Sequence, residues 1–138
     1  MNNLHAFLHP IQGDETREVV ISQRFRDEDG NPVPFRIRAL TQEENDRLTM
    51  QSMRLVKGGK RGEKQLDELS YGRRLILAAT VGPDFTSAEL CSAYGVMDPM
   101  ELPGKMLLAG EYSKLSKEIM ELSGFSANLD DLEEQAKN

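Results

Sequence analysis

The chain has 138 residues, a single cysteine, no tryptophan and a formal charge of −6, which fits one domain of roughly 100–150 residues. The acidic balance argues against broad nucleic-acid binding, where Lys and Arg must displace counterions from phosphate. Cys91 alone excludes an intramolecular disulfide and a cysteine-based zinc site, and no apolar run approaches the ~20 residues that cross a bilayer.

Residues 1–13 read as an N-terminal arm. Leu4, Phe7 and Leu8 have one-turn helical spacing before Pro10 and Gly13 break it. The arm lacks the basic start and long apolar stretch of a signal peptide, so a soluble intracellular protein is expected. A single α+β domain is expected over residues 14–126. Residues 18–26 and 33–40 alternate with period two, the second more clearly: Phe35, Ile37 and Ala39 one way, Arg36 and Arg38 the other. Asp27-Glu28-Asp29-Gly30-Asn31-Pro32 between them is a turn, and Pro34 confines its strand to an edge or itself to a non-bonded position.

Thr41-Gln42-Glu43-Glu44 is a capping box and opens a helix to about Leu55. Residues 57–64, basic and glycine-containing, read as a flexible solvated loop. The next helix runs over residues 65–81; its apolar end belongs at the centre of the fold, and Gly72 suggests a close helix contact. Thr86-Ser87-Ala88-Glu89 is a second capping box, and Asp98-Pro99-Met100-Glu101 a third helix start. Residues 111–123 make the cleanest amphipathic helix, with Tyr112, Leu115, Ile119 and Leu122 on one stripe and Gly124 as its C-cap. Residues 127–138 form an acidic tail or short helix with a thin stripe of Leu129, Leu132 and Ala136. The expected fold is α+β and mainly α: an N-terminal antiparallel β-hairpin beside a bundle of four or five helices.

No constellation in this sequence is built for chemistry. His5 and His9 are four apart, but no Cys lies near in sequence and Pro10 follows at once. Gly58-Gly59-Lys60-Arg61 lacks the glycine spacing and the Ser/Thr after Lys of a phosphate loop. The carboxylates fall in a turn, a helix start and the tail, not in an environment that would separate two pKa values. Cys91 has no recognisable activating His. No catalytic residue, metal or cofactor is therefore expected. The Met residues, among them Met97, Met100, Met106 and Met120, suit either core filling or an adaptable binding surface.

Four segments, in order, resemble the XkdN-like phage tail assembly chaperones. They are residues 19–25 with Gly30-Asn31-Pro32-Val33-Pro34-Phe35 and Ile37-Arg38-Ala39-Leu40-Thr41; residues 71–79 with Pro83-Asp84-Phe85; Glu89-Leu90 with Tyr94-Gly95-Val96-Met97; and Gly110-Glu111-Tyr112 with Gly124-Phe125 and residues 134–138. The resemblance covers residues 18–138. It implies a phage or prophage of a Gram-positive host and a non-enzymatic protein that acts in the host cytoplasm and is not expected in the mature virion. It also implies a partner, the long and largely helical tape measure protein, kept soluble during tail assembly. Contact with the tail tube protein and a homo-oligomer are left open, and neither nucleic acid nor membrane is an expected partner. The rival reading is a structural tail-completion or connector subunit. The stripe Tyr112, Leu115, Ile119, Leu122 is the candidate partner-binding surface, set against the alternative that it packs on the preceding long helix.

Overall fold

The computed structural model describes residues 3–11 and 16–125. The acidic tail 127–138, with Leu129, Leu132 and Ala136, lies outside the described residues. Among these there are six α-helices, α1 (Leu4–Leu8), α2 (Gln42–Gln51), α3 (Glu68–Ala79), α4 (Ala88–Ala93), α5 (Leu102–Met106) and α6 (Ala109–Leu122), with a 3-10 turn at Pro99–Glu101. Five short strands accompany them: β1 (Thr16–Val19), β2 (Phe35–Arg38), β3 (Met53–Leu55), β4 (Lys64–Leu66) and β5 (Thr80–Gly82). The fold is α+β.

β1 and β2 pair antiparallel from Thr16↔Arg38 to Val19↔Phe35, as the alternation predicts. The first strand is shorter than expected. Residues 20–24 leave the ladder, where the Lys114 ammonium donates to Val20 O at 2.9 Å and the Arg24 guanidinium donates to Met106 O at 3.0 Å; pairing resumes at Phe25, whose O accepts from Val33 N at 2.8 Å, and at the Arg26↔Pro32 bridge. Ile21 and Ser22 are both buried although consecutive, unlike the in-out alternation of a half-exposed strand. The turn closes as expected: Asp27 accepts from the Asp29 and Asn31 amides, each at 2.9 Å, and Gly30 sits at φ +84°.

β2 is the centre of the sheet, ordered β1-β2-β5, so of the two placements open to Pro34 the non-bonded one holds. Pro34 permits this because it stands one residue ahead of the ladder, where its missing N–H costs nothing. β5 was not expected. The apolar run after Leu75 is helical only to Ala79; Thr80–Gly82 then pairs with β2 through a register shift. Buried Ile37 and Phe35 of β2 meet Ile76 and Ala79 of α3 and Leu115 and Ile119 of α6 in one core, closed by Phe85 and Leu102.

The stretch expected to carry α2 to Leu55, followed by a solvated loop, is instead a second hairpin. α2 stops at Gln51; Met53–Leu55 pairs with Lys64–Leu66. Buried Ser52 is the pivot: its hydroxyl donates to Leu48 O at 2.7 Å while its carbonyl accepts from Asp67 N at 2.8 Å. Gly58 and Gly62, at φ +75° and +79°, make the turn. Pairing of residues 64–66 moves the start of α3 to Glu68, where Asp67 caps it by accepting from Ser70 N. Gly72 has open space around it, not a close helix contact. α4 is capped by Ser87 rather than Thr86, since Thr86 is held by Asp84 through both its amide and hydroxyl, at 2.9 and 2.6 Å. Asp98 caps the 3-10 turn, and Gly124 ends α6 at φ +92°, both as expected.

Candidate partner-binding surface

α6 explains why its stripe does not form one surface. A helix packed on both a sheet and a second helix must bury the middle of its apolar face. Leu115 and Ile119, each 0% exposed, lie in the core and offer nothing to a partner. Tyr112 and Leu122 are half-buried at opposite ends of α6. Leu122 borders a polar groove with Thr16, Arg17, Glu18 and Arg36. Tyr112 enters a different groove, and that one is amphipathic.

This second groove, of about 490 Å³, lies between α3, the α4 C-terminus and α5. Leu69 comes from the first turn of α3, two turns before buried Ile76 and on the same side of the helix, yet it is exposed. Val96 follows the Tyr94–Gly95 cap of α4, where Gly95 at φ +71° turns the chain. Met100 stands in the 3-10 turn fixed by Asp98. With Tyr112 these make an apolar floor, rimmed by Arg73, Lys105 and Glu101. Burial raises the pKa of the Tyr112 phenol, and Arg73 nearby works in the opposite direction. The side chains of Arg73, Lys105 and Glu101 show no hydrogen bond or ion pair with other described residues, though Arg73 acts on Tyr112 through its charge.

Sequence reasoning found Tyr112 but not its neighbours. Leu69 shares the phase of buried Ile76 in α3, and only the packing around the first turn of that helix leaves it 64% exposed. The methionines divide: Met106 is core, Met100 lines the groove, and Met97 beside it is 99% exposed. Two other apolar surfaces stand open. On α1 and just beyond it, Leu4, Phe7, Leu8 and Ile11 are all exposed, Ile11 at 97%. On the second hairpin, cross-strand partners Met53 and Leu66 lie near exposed Leu55. A third groove, between Phe25, Val33, Pro34, Pro83 and Met106, is mostly apolar and is flanked by Arg24 and Arg26.

The two glutamates whose pKa is lowered furthest belong to structural ion pairs. Arg38 and the Thr41 cap hold Glu44 down to about 2, and Arg24 does the same for Glu111, also about 2. Thr86 lowers Asp84. Cys91 is buried with its Sγ against Phe85 O at 3.5 Å, and the His5 and His9 rings are 4.6 Å apart on α1 and just after it. Among the described residues no group of three or more His, Cys, Asp or Glu could hold a metal ion, and no helix is long and apolar enough to cross a membrane. What the surface offers is contact area rather than convergent reactive groups.

Residues 4–137 match the Phage XkdN-like tail assembly chaperone protein family. The chain is 40% identical to the Bacillus subtilis (strain 168) protein YqbN, over 96% of this chain and 92% of that one. It is 39% identical to the phage-like element PBSX protein XkdN of the same organism, over 93% and 87%. The crystal structure of the protein YqbN superposes with a TM-score of 0.70 at 32% identity, covering 87% of this chain and 95% of that one. The four ordered segments, the α+β fold and these relatives agree, and the chain belongs to the XkdN-like phage tail assembly chaperone family.

Proposed function

We propose that this protein acts in the host cytoplasm by binding the tape measure protein and keeping it soluble until tail tube subunits enclose it, without catalysis and without remaining in the virion. Membership of a tail assembly chaperone family supports the class of activity. The observation that carries the finer reading is apolar side chains left at the surface at an amphipathic groove: Leu69, on the floor with Met100 and Tyr112, is 64% exposed, and Met97, next in sequence to the floor residue Val96, is 99% exposed. A helix with apolar residues at i, i+3, i+4 and i+7 is the kind of client such a groove accommodates. Methionine suits this role because its flexible thioether adapts to differing partners. Of the original stripe, Tyr112 is the residue retained for contact.

Co-expression with the tape measure protein, followed by pull-down and size-exclusion chromatography, tests the reading. A soluble, co-eluting tape measure only when this chain is present is the expected result, with Met100→Asp weakening it. An insoluble, unbound tape measure, with this protein found in purified tails, would replace the chaperone by a structural tail-completion or connector subunit.

A further inference from the structure

The hairpin of β3 and β4 has no part in the proposed client groove, which is lined by other residues. Its two strands pair only with each other, so each has an open outer edge. Val56 N donates to Glu63 O at 3.0 Å, and Asp67 N donates to Ser52 O at 2.8 Å. Antiparallel partners alternate between bonded and non-bonded pairs. Met53↔Leu66 and Leu55↔Lys64 are therefore the non-bonded pairs, and their N–H and C=O groups point outward. The four side chains share one face, and every residue of both strands is exposed. Charge is concentrated here as well. Residues 53–66 carry five Lys or Arg and one Glu, a net +4 in a chain of −6, which leaves −10 on the rest. Arg54 approaches Asp67 at 4.0 Å, and Glu63 accepts from the Lys60 amide. The side chains of Lys57, Lys60, Arg61 and Lys64 hold no carboxylate among the described residues.

We propose that the outer edge of β3 takes up an extended segment of another protein in which acidic and apolar residues alternate, adding it as a third strand. The segment's backbone bonds Met53 and Leu55. Its apolar side chains lie beside Met53, Leu55 and Leu66, and its carboxylates meet Arg54 on the opposite face and the cations of the turn. β3 is the better edge because Met53 and Leu55 are both apolar, whereas β4 sets Lys64 beside Leu66. A two-stranded hairpin is marginal in water by itself, and an open edge is a template for a further strand. Charge selects the partner. Two hairpins of +4 repel each other, which disfavours a second copy docking edge to edge. Nucleic acid fits less well: residues 53–66 include no aromatic side chain on which a base could stack, and exposed Met53, Leu55 and Leu66 would face phosphate.

The test is amide NMR of the full-length protein titrated with a synthetic peptide of alternating Val and Glu, about ten residues long. The expected result is shifted signals at Met53, Arg54 and Leu55 and slowed hydrogen exchange at Met53 and Leu55, with Ile76 in the core unaffected. A Val–Lys peptide should not bind, and a Ser–Glu peptide should bind about tenfold more weakly or less. Lys60→Glu with Arg61→Glu, both in the exposed turn, should weaken the Val–Glu peptide about tenfold, as should Leu55→Ser, with core signals in place. No shift with the Val–Glu peptide would overturn the proposal, as would equal binding of the Ser–Glu peptide. Protection at Lys64 and Leu66 instead would overturn the assignment to β3. A single-stranded oligonucleotide that binds the hairpin as tightly would replace the protein partner by nucleic acid. Hairpin shifts that grow with protein concentration alone would assign the edge to a second copy. The tape measure pull-down has no part in this titration, so the two readings fail separately.

Discussion

Arg38 on β2 grips Glu44 in the first turn of α2 through two bonds, Nη1 to Oε1 at 3.0 Å and Nη2 to Oε2 at 2.5 Å. The same Glu44 accepts from the Thr41 amide at 3.1 Å, and Thr41 Oγ1 accepts from the Glu44 amide at 3.2 Å. One carboxylate thus closes the helix cap and ties the helix to the central strand. Arg24 and Glu111 repeat the device between the irregular 20–24 segment and α6, where Glu111 also accepts from Leu108 N at 2.8 Å.

Both carboxyls are held at about 2, below the ordinary 4.5 of glutamate. A carboxyl lowered in the folded state adds stability that is fully present above its unfolded pKa and is lost as pH falls through the folded value. Thermal melts are therefore expected to be level from about pH 7 to 5 and to fall from about 4.5 toward 2. Both ion pairs lie at the surface and remain partly exposed, so screening keeps the effect small. Glu44→Gln retains a capping amide and removes the charge; it should cost about 0.2–1 kcal/mol at neutral pH and flatten the acid limb. An unchanged acid limb in the double variant Glu44→Gln, Glu111→Gln would show that other carboxyls govern it.

The two kinds of residue on the α6 stripe should separate cleanly. Leu115→Ala or Ile119→Ala removes a side chain with no exposure and should cost about 2–5 kcal/mol through lost transfer energy and the cavity left behind. Met100→Asp, on the groove floor, should leave denaturant midpoints much closer to wild type while reducing client recovery. Urea titration of the three variants beside the pull-down decides it: a Leu115→Ala protein of wild-type stability would contradict the core placement.

Gly72 lies inside α3 with open space where a Cβ would project. Gly72→Ala should stabilise the protein by up to about 1 kcal/mol, because alanine loses less backbone freedom in a helix. Gly95→Ala is the counter-case. The space is open there too, but φ is +71°, so alanine should destabilise by about 1–2 kcal/mol. Equal effects of the two substitutions, measured by thermal or urea unfolding, would contradict this distinction.

Local signals were legible where the chemistry is local. The Thr41–Glu44 box, the Asp27–Gly30 turn, the Asp98 cap and the Gly124 terminus each depend on atoms a few residues apart, and each is where the sequence places it. Phe35 and Ile37 were readable as a core face because alternation in β2 is enforced by its own backbone. The hairpin at residues 53–66 was not legible, because Met53–Leu55 and Lys64–Leu66 are short, polar-flanked and defined only by each other. Thr80–Gly82 likewise reads as the end of an apolar helix until β2 offers it a ladder.

The family and the function class came from the sequence alone, since ordered motifs along one chain carry that information without coordinates. Composition and spacing also determined the α+β class and the amphipathic nature of α6. Which apolar residues stay at the surface was decided by tertiary structure. Periodicity places Tyr112, Leu115, Ile119 and Leu122 on one face, but burial of that face depends on what packs over each turn. The sheet and α3 cover its centre and leave Tyr112 at a groove whose other walls come from α3, the α4 terminus and α5. Residues that far apart in sequence are brought together only by the free energy of closing a common core.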